Sequence, residues 1–247
     1  MKITTIISYC TNDERFIRPC IDNALQVSDE IIIPVSSHWY DGTVEDMNAI
    51  EILAAEYPQV NITTFDWEPG KHPRYWNNMA RAIGIHLASK TSDWLMFIDT
   101  DEIIDTTLFN KFKQEFPFNE YDSLKIGNYT YFREPIYRAN TNEDSVVMVR
   151  KEYAIINPDN LSVEREQLHE MLNVRKRRMV LFNDTPLVHH FSWVRTKEQM
   201  VNKVSSWSHR DDKDWISCIN EEFSRDFNGK DFIHGYSYET VENRYKI

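Results

Sequence analysis

The sequence is poor in positive charge. Its 28 Lys and Arg face 39 Asp and Glu, a formal net charge of -11. A nucleic-acid-binding surface needs clustered positive charge, so that function class is set aside. The one basic run, Arg175-Lys176-Arg177-Arg178, is too short to reverse this and reads as a solvated turn or strand edge. A small anionic ligand stays admissible, because a metal ion and local arginines can invert the field inside a cleft. Cysteine is scarce too. Cys10, Cys20 and Cys218 form neither a metal-type pair nor a disulfide framework, which predicts a reducing, cytoplasmic setting. No apolar run reaches transmembrane length, which leaves only peripheral membrane contact open. The N-terminal Ile3-Thr4-Thr5-Ile6-Ile7-Ser8 reads as a first strand, without the cleavage site of a signal peptide.

The 247 residues, 41% of them hydrophobic, can bury a substantial core. Aromatics reach 13%, a surplus that suits packing and also a site that stacks on sugar rings or bases.

Apolar spacing predicts alternation in the first half. Strands are expected at residues 3–8, 30–35, 60–65 and 94–98, and helices at 13–27, 43–57 and 76–89. That order implies right-handed crossovers and a mostly parallel sheet with helices on both faces. The second half alternates over residues 121–138, as in antiparallel strands, with further strands at 145–150 and 179–182 and helices at 197–207 and 216–223.

The most informative segment is Trp94-Leu95-Met96-Phe97-Ile98-Asp99-Thr100-Asp101-Glu102. An apolar strand ends in three carboxylates. Residues two apart on a strand face one side, so Asp99 and Asp101 can address one point at its exit. Two carboxylates held that close repel unless a cation lies between them. The C-terminal ends of strands in open α/β sheets are where ligands bind. A hard divalent ion carrying a phosphorylated ligand suits such a place.

Other segments fall into order around it: Cys10-Thr11-Asn12-Asp13-Glu14-Arg15-Phe16-Ile17, Tyr40-Asp41-Gly42-Thr43-Val44-Glu45, Leu168-His169-Glu170 and Val188-His189-His190-Phe191-Ser192-Trp193. In this order, over about residues 1 to 195, the chain resembles the family 2 glycosyltransferases of GT-A fold, and among them the lipopolysaccharide-type members. The resemblance implies a catalytic domain over 1–195, with a nucleotide-sugar-binding half (1–102) and an acceptor half (103–195). Residues 196–247 are then a helical extension packed on it. The implied activity is inverting transfer of a hexose or N-acetylhexosamine from a nucleotide-diphosphate sugar, UDP by default, to a glycan or glycoconjugate hydroxyl.

Carried over by position, Asp99 and Asp101 bind metal and diphosphate, with Glu102 orienting nearby groups. His190, or failing it His189, is the last metal ligand, since adjacent strand residues face opposite sides. Carboxylates with an imidazole suit Mn²⁺, then Mg²⁺. Glu170 is the implied general base, with Glu164 and Glu166 as rivals. Asn12 and Glu14 lie beside the nucleotide, with Asp41 in the second loop, and Arg81 is the candidate partner of the diphosphate. The chain departs from the family where a nucleotide-contacting Asp is usual: the position holds Ser36. The loop that follows is bulky, and Trp39 or Tyr40 can stack on the base instead.

Three alternatives remain. A sugar-nucleotide nucleotidylyltransferase would share the sheet but needs a glycine-rich loop after the first strand, where Tyr9-Cys10-Thr11-Asn12-Asp13 has none. A phosphohydrolase would cluster two metals on Asp99, Asp101, His189 and His190. A non-enzymatic glycan-binding module would keep binding without turnover.

Overall fold

The computed structural model describes residues 1–161, 165–206 and 212–247, apart from the side chain of Glu166. Glu164, the Glu166 side chain and Trp207 therefore lie outside the described residues. The first half alternates as its periodicity predicts: β1 (Ile3–Ser8), α1 (Glu14–Ala24), β2 (Glu30–Ser36), α2 (Met47–Glu56), β3 (Asn61–Phe65), α3 (Pro73–Leu87) and β4 (Trp94–Asp99). Helix α3 begins earlier than its apolar stripe. Pro73 occupies its first turn, where no N–H is needed, and the His72 ring caps the Arg74 N–H at 3.1 Å.

The second half holds β5 (Glu102–Ile104), α4 (Thr106–Glu115), β6 (Ser123–Phe132), β7 (Glu134–Arg150), α5 (Arg165–Met171), β8 (Lys176–Val180) and β9 (Val188–Trp193). The alternating stretch is a long hairpin of β6 and β7, turning at Arg133 in the left-handed region (φ 59°). The strand expected at 145–150 is the end of β7. The extension supplies α6 (Lys197–Ser206) and α7 (Trp215–Glu222), and also β10 (Tyr238–Thr240), which pairs with β7. It is therefore not purely helical.

All described strands join one curled sheet whose main path runs β3-β2-β1-β4-β7-β6-β9-β5. Strands β1 to β4 are parallel, and the apolar residues of β1, β2 and β4 are buried on both faces. Phe16, Ile17, Cys20, Ile21 and Ala24 of α1 cover one face. On the other, α3 approaches β1 so closely that a Cβ on Gly84 would lie 2.5 Å from Ile6 Cγ2. Met200 and Val204 of α6 and Trp215 and Ile219 of α7 pack on Phe132 and Trp193.

Three registers place the site. Ser8 of β1 is level with Asp99 of β4, so the loops that follow emerge side by side. Glu102 of β5 and Thr130 of β6 both lie beside His190 of β9. The sheet thereby curls the third carboxylate and the histidine toward the exit of β4. Among the described residues no helix is long and apolar enough to cross a membrane.

Candidate functional site

A cavity of about 300 Å³ opens at the C-terminal ends of β1, β2 and β4. Buried Glu45 fixes two of its loops. Its carboxylate accepts from the Thr11 N–H and hydroxyl after β1, and from Trp39 Nε1 at 3.0 Å after β2. The second loop turns at Gly42, whose φ of 92° needs a residue without a Cβ, and directs Trp39 and Tyr40 to the cavity wall. His38 stacks on Trp67 with centroids 5.0 Å apart.

The acidic turn divides its charges. Asp99 is 37% exposed and lies between Arg81 Nη2 (3.6 Å) and Arg165 Nη2 (3.3 Å). Asp101 is buried. One oxygen faces His190 Nε2 at 3.5 Å, and the other faces Lys203 Nζ at 3.2 Å and Arg195 Nη2 at 3.5 Å. Burial alone would raise the Asp101 carboxyl. Lys203, His190 and Arg195 outweigh it and hold the group well below the usual carboxylate range. Burial would likewise lower His190, but its hydrogen bond to Asp101 and the charges of Glu102 and Asp101 push it up to about 9. Glu102 is fully buried. It receives Arg165 through two nitrogens, Ser145 Oγ at 2.5 Å and the Asp99 N–H at 2.8 Å. These bonds fix the positions of Arg165, Ser145 and the Asp99 backbone around it.

Arg81 reaches the cavity from α3. It is 3% exposed, and its Nε and Nη1 have no hydrogen-bond partner among the described residues. A buried donor left unpaired is costly, so these groups call for acceptor oxygens from a ligand.

Asn12, Ser36, Arg81, Asp99, Asp101 and His190 all line this cavity. Four expected site residues do not line this cavity. His189 faces the opposite side, bonded to the Tyr131 hydroxyl at 2.7 Å, and burial lowers it to about 3. Glu14 points outward and pairs with Arg18 at 3.6 Å, because it opens the solvent face of α1. Asp41 is exposed and accepts from the Thr43 N–H at 2.9 Å, which shapes the turn rather than the cavity wall. Glu170 is 47% exposed and pairs with Arg178 at 3.3 Å. On α5 its neighbours Leu168 and His169 take the buried side.

The three expected metal ligands do not converge as one set either. Among the described residues no three His, Cys, Asp or Glu side chains converge. Asp101 and His190 do meet. A carboxylate oxygen facing an imidazole nitrogen across 3.5 Å fits a Mn²⁺ or Mg²⁺ that draws its other ligands from phosphate and water. Asp99, held by two arginines, stands outside that pair.

Arg165, Arg195, Lys203 and Ser145 belong to no motif in the sequence, whereas Glu45 ends the segment that follows the second strand. The only signal for the cations was the concentration of carboxylates they serve.

No family model matches the chain, and no curated protein matches it. Solved structures do. TarS 1–349 of S. aureus is 16% identical, with 93% of this chain and 74% of that one covered at a TM-score of 0.50. The same fragment in complex with UDP gives 14% identity, 92% and 73% coverage and a TM-score of 0.52. The 4-diphosphocytidyl-2C-methyl-D-erythritolsynthase of Anaerococcus prevotii gives 14%, 81% and 95%, and 0.51. At these identities the likeness concerns the fold, which is a GT-A-like α/β architecture.

Proposed function

We propose that this protein transfers a sugar from a nucleotide-diphosphate sugar, a UDP-sugar first, to a hydroxyl of a glycan or glycoconjugate, with inversion. The observation that carries this reading is Arg81. A buried guanidinium with two unpaired donors opens on the same cavity as the Asp101–His190 pair. Such a cavity asks for an anion rich in acceptors, and a diphosphate supplies it.

Asn12, Ser36, Trp39 and Tyr40 enclose the nucleoside, with an aromatic face in place of the carboxylate that the sequence lacks there. Arg81 takes diphosphate oxygens, and Asp99 keeps Arg81 and Arg165 aimed at the cavity. Asp101 and His190 would hold a divalent cation. When bound, that cation supplies Lewis-acid neutralisation of the departing diphosphate. Glu102 locks Arg165 in place, so the charges that meet the leaving group are set before it forms. Glu170 has no role in this reading.

Nucleotidylyl transfer, which the same architecture can host, is disfavoured by the first loop. Its Thr11 N–H is consumed by Glu45 and its Asp13 N–H by the Cys10 carbonyl at 3.0 Å, so these two are closed to a triphosphate. The three free cysteines agree with a reducing compartment, and we assign the activity to the cytoplasm.

A thermal-shift screen of nucleotide sugars and nucleoside diphosphates, with and without Mn²⁺, tests the reading. A ligand of the folded state raises Tm by mass action. A UDP-sugar is expected to give the largest rise. If no nucleoside diphosphate or nucleotide sugar moves Tm under either condition, the donor site does not exist.

A further inference from the structure

Asp101 is neutralised more than once. Lys203 Nζ at 3.2 Å and Arg195 Nη2 at 3.5 Å share one of its carboxylate oxygens. The two cations differ in exposure and in side-chain geometry. Arg195 is 1% exposed, its Nε donates to the Ser192 carbonyl at 2.9 Å, and its Nη2 also holds Asp13. Lys203 enters from α6 on a flexible stem, is 13% exposed and lines the cavity. A divalent cation reaching Asp101 ahead of any anion would meet both positive groups at close range. A diphosphate entering first meets Lys203, Arg165 and the unpaired donors of Arg81.

We propose that Lys203 is an exchangeable counter-cation that makes the site anion-first: it closes Asp101 to a divalent metal until a nucleoside diphosphate draws its ammonium away. This rests on the donor-site reading above. It follows that a diphosphate binds without metal and that metal alone binds poorly. By linkage, each must raise the other's affinity by the same factor. The lysine suits this exchange because a point charge on four methylenes moves from one oxygen to another without the fixed fork geometry of arginine.

The test uses the full chain, stripped of metal. UDP, GDP, CDP, ADP and inorganic pyrophosphate are titrated calorimetrically in EDTA. Free Mn²⁺ is followed by electron paramagnetic resonance, alone and with the tightest diphosphate. The expected result is diphosphate binding in EDTA, and Mn²⁺ affinity that rises about tenfold or more once the diphosphate is present. Lys203→Met should bind Mn²⁺ alone about tenfold more tightly and lose about tenfold in diphosphate affinity, while Lys203→Arg keeps diphosphate binding near wild type. Diphosphate binding that requires metal overturns the proposal, as does a Lys203→Met protein unchanged in both affinities. If Lys203→Met does not fold, the wild-type titrations decide alone. Should no diphosphate or pyrophosphate bind under any condition, the donor-site reading falls first.

Discussion

Arg165 closes on Glu102 in a two-pronged ion pair, with Nη1 and Nη2 each 2.6 Å from a different carboxylate oxygen and both side chains out of solvent. Removing one partner leaves a buried charge alone, which costs about 3–5 kcal/mol. Glu102→Gln should lower the urea midpoint accordingly and weaken nucleotide binding, since Arg165 also holds Asp99. A variant with wild-type stability would show that the pair is not what fixes the acidic turn.

Gly84→Ala tests the contact of α3 with β1. The added methyl must displace Ile6, and overpacking of this kind costs about 1–3 kcal/mol. The unfolding free energy should fall while the nucleotide still binds. No change in stability would mean that the helix has room to shift.

Stability should fall on the acid side through two buried histidines. Burial lowers His189 to about 3 and His169 to about 4. Below about pH 6.5 the unfolded chain takes up protons that the fold refuses, so stability drops with pH, by up to about 1.4 kcal/mol per unit for each. His190 works the other way. Raised to about 9, its contribution is complete below about pH 6.5 and is lost as pH climbs toward 9. Urea titrations from pH 4 to 9 should show both limbs, and His189→Gln should flatten only the acid one. An acid limb of equal slope in that variant would assign the loss to other groups.

Trp39→Leu should separate nucleoside from phosphate. Stacking on a base is worth about 1–3 kcal/mol, so nucleoside diphosphate affinity should drop roughly 5-fold or more. Inorganic pyrophosphate, which has no base, should bind within about twofold of wild type. Equal loss for both ligands would place Trp39 in the loop's architecture through its bond to Glu45 rather than against the base.

Glu170→Gln should leave Tm, donor binding and turnover where they are. Its pair with Arg178 is exposed, and such pairs contribute about 0–1 kcal/mol. A variant that binds donor yet loses transfer would return Glu170 to the chemistry.

The alternating half of the fold was legible because each strand and helix there satisfies its own period. The acidic strand exit was legible for the same reason, and side alternation on β9 already allowed only one of His189 and His190 to serve. The cations were not. Arg165, Arg195 and Lys203 meet Glu102 and Asp101 across long stretches of chain, on partners that no local pattern encodes. The exposed placement of Glu170 was not legible because a motif gives order along the chain but not helical phase. On α5 a step of one residue turns a side chain by about 100°, from the buried side of His169 to solvent. The strand β5 escaped because three residues are too few to show a period.

That short strand has a consequence for how the protein comes into being. Strand β5 leaves the acidic turn and pairs with β9, and the Phe191 N–H bonds the Asp101 carbonyl at 2.8 Å. A nascent chain that has released β4 while β9 is still inside the ribosome therefore lacks the edge that sets Asp101. On the proposed reading, nucleotide capture begins only after β9 has emerged, so translation products arrested before it should pass through the cell without sequestering the donor.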